Sequence, residues 1–241
     1  MFWNALCSHE IFSNVMEHYL YLIIDLATLA VPLMASFYPK HAYYKTWRFL
    51  FPAIAAVGLF FVFWDVLFNS MGSLGFKERY LTGLKIFNLP LEEVLFFICI
   101  PYSSVFVYFS LLYLQKKTVL QRTHRYITLL LILMSSVLLV QYYDRWYTAS
   151  TFGLLLIYLA YHLYQKTDLS RYYVSYTITL VFFFIVNGIL TGSWIEEPVV
   201  WYNNSENLGI RIGTIPFEDA FYGFLLIALV IDIYRYLQHK K

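Results

Sequence analysis

Long apolar runs alternate along the chain with short polar intervals, and seven of the runs fall at roughly 18–37, 49–68, 90–113, 125–143, 150–165, 172–191 and 214–237. A run of about 20 mostly apolar residues can cross a bilayer as a helix, because in lipid each backbone N–H and C=O must find its partner within the protein. The pattern therefore predicts seven transmembrane helices, the fifth being the shortest. Basic residues fall unevenly between them. Lys40, Lys45, Arg48, Lys116, Lys117, Arg122, Arg125, Lys166, Arg171, Arg235, Lys240 and Lys241 lie on one side, 12 of the 17 Lys and Arg residues. Lys77, Arg79, Lys85, Arg145 and Arg211 lie on the other. Basic loops stay in the cytoplasm, so the N-terminus is expected outside and the C-terminus inside, as an odd number of crossings requires.

Composition agrees with this class. The 241 residues are 60% hydrophobic and 13% charged, against about 45–50% and 25% in soluble domains. The polar residues for a solvated shell are missing. A formal net charge of +2, with no basic patch among the aromatics, argues against nucleic acid as a partner. Cys7 and Cys99 are lone and far apart, which fits neither a zinc spacing nor a disulfide framework. The opening MFWNALCSHEIF has no Lys or Arg before its first apolar run, unlike a cleaved signal peptide.

One motif occurs twice. Asn88-Leu89-Pro90-Leu91-Glu92-Glu93 opens the third predicted helix, and Thr214-Ile215-Pro216-Phe217-Glu218-Asp219 opens the seventh, each followed by an aromatic-rich apolar run. The preceding helices also end alike, with Phe68-Asn69-Ser70 and Gly72 matching Val186-Asn187-Gly188 and Gly192. These matches predict an all-α transmembrane bundle of three helices, one connecting helix and three helices again. The first repeat is expected at 17–115, the connecting helix at 116–149 and the second repeat at 150–241. Four crossings separate equivalent helices, so the repeats run parallel, related by an axis along the membrane normal. Both acid pairs then lie at the same face, the outer one.

Two readings of the pairs stand side by side. Pro near a helix start and acids in the first turn are ordinary structural features. Carboxyls at membrane depth, however, are rare and by default functional, and here they occur twice at symmetric places. Neighbouring helical residues point about 100° apart, so one acid of each pair can face the bundle interior. Burial and like charge favour keeping a proton on one carboxyl, while the helix N-termini favour the anion. A donor beside a base is one compromise. Asp65 has a depth similar to the pairs and suits either a site role or an ion pair with Lys77 or Arg79. Asn69 and Asn187 can orient a carboxyl or cap a helix. Arg211 can be a site residue or an interfacial one. Phe63, Trp64, Phe96, Phe97, Trp194, Phe221 and Tyr222 are candidates for lining a cavity, where π faces can stabilise a carbocation.

The chain has no Gly-x-Gly-x-x-Gly, Walker motif, Ser-centred nucleophile elbow or His-rich tract. His9-Glu10 is not followed by a second His at metal spacing, no Asp-x-x-x-Asp array binds a metal diphosphate, and the seventh helix has no Lys for a Schiff base. Acid–base chemistry on something lipophilic remains, with no cofactor and no metal.

Phe63-Trp64-Asp65, Gly75-Phe76, Tyr80-Leu81-Thr82-Gly83 and the first acid motif resemble one half of the small integral-membrane lycopene β-cyclases. Asn187-Gly188-Ile189-Leu190-Thr191-Gly192, Val200-Trp201-Tyr202-Asn203, Gly209-Ile210-Arg211-Ile212 and the second acid motif resemble the other half. In that family the halves occur as two subunits or one fused chain, and this chain resembles the fused form from about residue 17 onward. The resemblance implies a multi-pass protein of the cell membrane that takes lycopene from the bilayer, among membrane lipid. The implied reaction is redox-neutral: the linear ends close to β-ionone rings, giving γ- and then β-carotene. It assigns the acid–base work to Glu92, Glu93, Glu218 and Asp219, with Trp64, Asp65, Asn187, Phe96, Phe97, Arg211 and Tyr222 binding or supporting. Leu74 and Lys77 stand where the family commonly has Trp and Asn, and Phe109 where it commonly has an acid. A small-solute transporter with parallel repeats and acidic proton relays is the competing expectation, favoured by Pro32, Pro52 and Pro101 within helices.

Overall fold

The computed structural model describes residues 17–40, 42–115 and 117–240. Of the residues named above, Cys7, His9, Glu10, Lys116 and Lys241 lie outside the described residues. Seven helices follow the seven apolar runs: α1 (Leu20–Ala35), α2 (Trp47–Ser70), α3 (Leu91–Leu114), α4 (His124–Gln141), α5 (Trp146–Tyr164), α6 (Ser170–Leu190) and α7 (Asp219–His239). Five of them, α2, α3, α4, α6 and α7, are long and apolar enough to cross a membrane. The expectation of seven spanning helices is thus met in number of helices but not in their length and apolarity. The 16 residues of α1 reach about 24 Å at 1.5 Å each, short of a hydrocarbon core of about 30 Å. In α5, Thr148, Thr151 and His162 dilute an otherwise apolar sequence. Pro32, Pro52 and Pro101 all lie inside helices that run on past them.

Three short antiparallel ladders join the helices, a feature that the purely helical expectation lacked. The strands are β1 (Leu74–Phe76), β2 (Lys85–Ile86), β3 (Leu89–Pro90), β4 (Val200–Tyr202), β5 (Arg211–Ile212) and β6 (Ile215–Pro216), paired β1–β4, β2–β3 and β5–β6. Strands of two or three residues are too short to show a period of two.

The β2–β3 and β5–β6 hairpins are one structure made twice. Lys85 pairs with Pro90 and Ile86 with Leu89; Arg211 pairs with Pro216 and Ile212 with Ile215, each 126 positions further on. Each hairpin is entered through a glycine in the left-handed region, Gly83 at φ 80° and Gly209 at φ 70°, and turns on a residue with positive φ, Phe87 at 55° and Gly213 at 66°. The Leu91 N–H closes the first onto the Leu84 carbonyl at 2.8 Å, and the Phe217 N–H closes the second onto Ile210 at 3.0 Å. Each hairpin therefore leads into a helix, α3 at Leu91 and α7, two positions later in the repeat, at Asp219.

The helices pack across the repeat. Besides lying on α1 and α2, α3 packs against α6, and besides lying on α5 and α6, α7 packs against α2; α4 lies on α5. A large buried cluster fills the space between them, with Phe61, Phe97, Tyr102, Phe152, Leu225 and Val230 among its members. Farther along α7, Asp232 draws three neighbours together. It accepts the hydroxyls of Tyr158 at 2.9 Å and Tyr172 at 2.6 Å, with His162 Nε2 at 2.9 Å.

The β1–β4 ladder ties the loop after α2 to the loop after α6, setting Gly75 opposite Trp201. A Cβ on Gly75 would collide with the Trp201 ring, so any side chain there must displace the indole. Gly75→Ala is expected to cost about 1–3 kcal/mol through overpacking. The thermal midpoint of the detergent-solubilised protein checks this, and an unchanged midpoint would contradict it.

Candidate active site

Because α3 begins right after Pro90 and α7 right after Glu218, the chain delivers its two acid pairs at two helix N-termini. All four carboxyls are buried. The two members of each pair do different things.

The first member faces its own hairpin. Glu92 Oε1 accepts the Thr82 N–H at 2.7 Å, and Glu218 Oε1 accepts the Leu208 N–H at 2.7 Å, each from ten residues upstream. Glu218 also accepts the Thr148 hydroxyl at 2.6 Å. The other oxygen of each, Oε2, is buried without a partner among the described residues. Neither Glu92 nor Glu218 lines the central cavity.

The second member turns inward. Glu93 and Asp219 both line a single cavity between the halves. Glu93 Oε2 accepts the Tyr21 hydroxyl at 2.8 Å, and Asp219 Oδ1 accepts the Tyr147 hydroxyl at 2.5 Å. Those tyrosines stand 126 positions apart, as Glu93 and Asp219 do, so each repeat supplies its own donor from its first helix.

Beyond this the halves differ. Glu93 stands beside a second acid, Asp65, which itself accepts the Tyr222 hydroxyl at 2.8 Å. Two ionised carboxyls cannot hydrogen-bond to each other, so any bond between them takes a proton on one. Among the described residues no acid hydrogen-bonds to Asp219. It accepts the Asn187 amide at 3.0 Å on Oδ2, beside the Tyr147 hydroxyl on Oδ1. Burial opposes charge on either carboxyl, and the two donors act against that for Asp219. The Tyr202 hydroxyl, in β4 outside the helices, is held well above the usual tyrosine range by burial and then by the charges of Asp219 and Glu93. It stays a donor at any working pH.

The remaining walls are aromatic and aliphatic, with Phe96, Phe97, Phe183, Leu74 and Leu226 among them. Asp65, Asn187, Phe96, Phe97 and Tyr222 therefore sit where the sequence reading put them. Others do not. Trp64 packs beside the cavity, stacked on Phe60 and edge-on to Phe68. Arg211 reaches away, to the Thr214 carbonyl at 2.7 Å and Asn204 Oδ1 at 2.8 Å, and braces the loop. Phe63 and Trp194 are 58% and 70% exposed, and Phe221 packs on Phe152 and Phe217. Asn69 donates to the Asn88 carbonyl at 2.6 Å and touches no acid. The ion-pair alternative for Asp65 falls away, because Lys77 pairs with Glu197 and Arg79 with Glu17 and Glu196. Of the departures from the family pattern, Leu74 lines the cavity, Lys77 lies in that outer ion pair, and Phe109 packs 5.1 Å from the Tyr43 ring in the core. Tyr21, Tyr147 and Phe183 lie outside the motifs, and only the shared spacing of 126 marks the first two among 23 tyrosines and 22 phenylalanines, while Tyr202 lies in the stretch Val200-Trp201-Tyr202-Asn203 with no role assigned to it there.

The fold and cavity define a helical, membrane-type bundle whose repeated halves each place a carboxyl in one aromatic and aliphatic cavity. The chain belongs to the lycopene cyclase family: the family model described as Lycopene cyclase matches residues 18–111 and again 144–237, well over half of its length. The family places the protein among carotenoid-pathway enzymes that act on a lipophilic substrate. No curated protein and no solved structure matches the chain.

Tyr147→Phe removes a donor from a buried carboxyl whose other contacts remain. It is expected to lower stability by about 1–3 kcal/mol, read as a shift of the denaturation midpoint, and an unchanged midpoint would contradict the bond.

Proposed function

We propose that this protein is a lycopene β-cyclase, an isomerase that closes the linear ends of lycopene to β-ionone rings. The observation that carries the reading is the inward pair: Glu93 beside a second acid, and Asp219 supplied with two donors, on one aromatic cavity. Glu93, sharing a proton with Asp65, is the donor. It protonates the terminal alkene at its less substituted carbon and leaves a tertiary cation. The neighbouring double bond attacks that cation, the ring closes, and the charge moves to the next ring carbon. Asp219 removes the adjacent ring proton and forms the ring alkene. One proton enters and one leaves, so no reductant or oxidant is needed. Phe96, Phe97 and the tyrosine rings stabilise the passing cation by their π faces and keep out the water that would trap it. Glu92 and Glu218 hold the hairpins and set the two helix starts, acting through position.

The same reading orders the chain as three helices, a connector and three helices, in parallel repeats at 17–115 and 150–241 around 116–149. It sets the N-terminus and both acid pairs at the outer face of the cell membrane. Lycopene enters from the lipid, and each end is cyclised in turn, through γ- to β-carotene. The transporter reading draws no support from the comparisons, and a cavity walled mainly by aromatic and aliphatic side chains has little with which to hold a polar solute.

Expression in a lycopene-accumulating bacterium tests this. The parent is expected to convert lycopene to γ- and β-carotene. Glu93→Gln and Asp219→Asn, at equal protein levels, should each lose about 10²–10⁴-fold in rate. Glu92→Gln and Glu218→Gln keep an oxygen acceptor for the loop N–H and should lose less than about 10²-fold, the scale of a 1 Å misplacement. Untouched lycopene with a well-expressed parent would overturn the reaction. A full loss in the Glu92 and Glu218 variants with activity in the other two would overturn the assignment of roles.

A further inference from the structure

Asp25, in the middle of α1, is a buried carboxyl that the mechanism above does not use. It is 0% exposed, and neither of its oxygens has a hydrogen-bond partner among the described residues. It lies one turn after Tyr21, on the same face of the helix, and interacts electrostatically with Glu92, Glu93, Tyr21 and Cys99. An ionised carboxyl in this place would be desolvated, unbonded and beside other acids, three penalties with no offset. The neutral acid avoids all three and carries a proton that nothing else holds. In the second half the position 126 further on is Thr151, also buried. A threonine cannot take up or give up a proton, so the reserve exists on one side only. That is the side where Asp65 stands beside Glu93.

Resting on the cyclase reading, we propose that Asp25 is the proton reserve of the donor half: it re-protonates Glu93, directly or by way of the Tyr21 hydroxyl, after Glu93 has given its proton to the substrate. Each ring closure takes one proton from Glu93 and delivers one to Asp219. Asp25 then passes its proton to Glu93. Asp219 later releases its proton to the aqueous phase at the hairpin face, and Asp25 takes one back. Over a cycle no proton is gained or lost, and no electron moves. Asp25 touches no reacting atom and works through Glu93. Its presence re-arms the donor without waiting for Asp219 to discharge.

The test uses the full chain in lipid nanodiscs with lycopene. Asp25→Asn is expected to slow the first turnover by no more than about twofold, to cut steady-state turnover by about tenfold, and to enlarge the solvent deuterium effect on the steady state alone. Asp25→Thr should behave as Asp25→Asn does, and Asp25→Glu should restore turnover. First and later turnovers falling together with no change in isotope effect, or no change in any rate, would overturn the proposal. Infrared difference spectra without substrate give a second readout. The parent should show a protonated-carboxyl band that is lost in Asp25→Asn and shifted in Glu93→Gln, and its absence from the parent would overturn the proposal. A parent that shows this band yet closes no ring has failed as a cyclase, and the failure lies with that reading.

Discussion

The bonds from the Thr82 and Leu208 N–H groups to Glu92 and Glu218 set where the rest of the site stands. A carboxyl buried at the start of an apolar helix needs a donor from the protein, and the backbone just before the hairpin supplies one. That bond fixes the hairpin against the helix start. Since adjacent helical residues point about 100° apart, fixing the first acid on its hairpin turns the second toward the bundle. Glu93 and Asp219 therefore face inward, each with a tyrosine from the first helix of its own repeat. Gly83 and Gly209 make the bonds possible, because the residue after each donating N–H must enter the left-handed region.

Two nearly equal halves around one cavity would give two equivalent acids, and acid–base chemistry needs unequal ones. The inequality comes from the neighbours. Asp65 stands beside Glu93 while Asn187 donates to Asp219, and Asp65 and Asp25 of the first half are answered 126 positions on by Thr191 and Thr151. Each replacement puts an acid in the first half and a neutral hydrogen-bonding group in the second. Small changes on a repeated frame thus give the two inward acids unlike surroundings.

Much of this was legible in the sequence, and the rest was hidden for identifiable reasons. The helices follow from apolar runs of about 16–24 residues, since burial in lipid acts on whole segments. The duplicated motif marked both acid pairs, because Pro followed by two acids at a helix start is readable without tertiary structure. Which acid faces inward was not readable, since it depends on the hairpin, and the hairpin strands are too short to leave a periodic trace. Arg211 illustrates the same gap: beside the motif it looked like a site residue, while its guanidinium is taken up by the loop. Tyr202 reaches Asp219 from a strand held in place by a ladder between the two halves, a contact no local pattern records. Asp25 was overlooked because a single acid in an apolar run carries no motif; its meaning lies in having no partner at all.

Single-turnover cyclisation in heavy water decides whether a protein carboxyl starts the reaction. Nanodiscs holding the protein are equilibrated in deuterated buffer, so that Glu93 and Asp65 exchange, and are then given lycopene for one turnover. Proton donation from Glu93 requires one deuterium per closed ring, at the ring methylene formed from the protonated alkene carbon, as mass spectrometry and NMR of the product would show. Rings closed without solvent-derived deuterium would mean that the acid pair does not initiate ring closure.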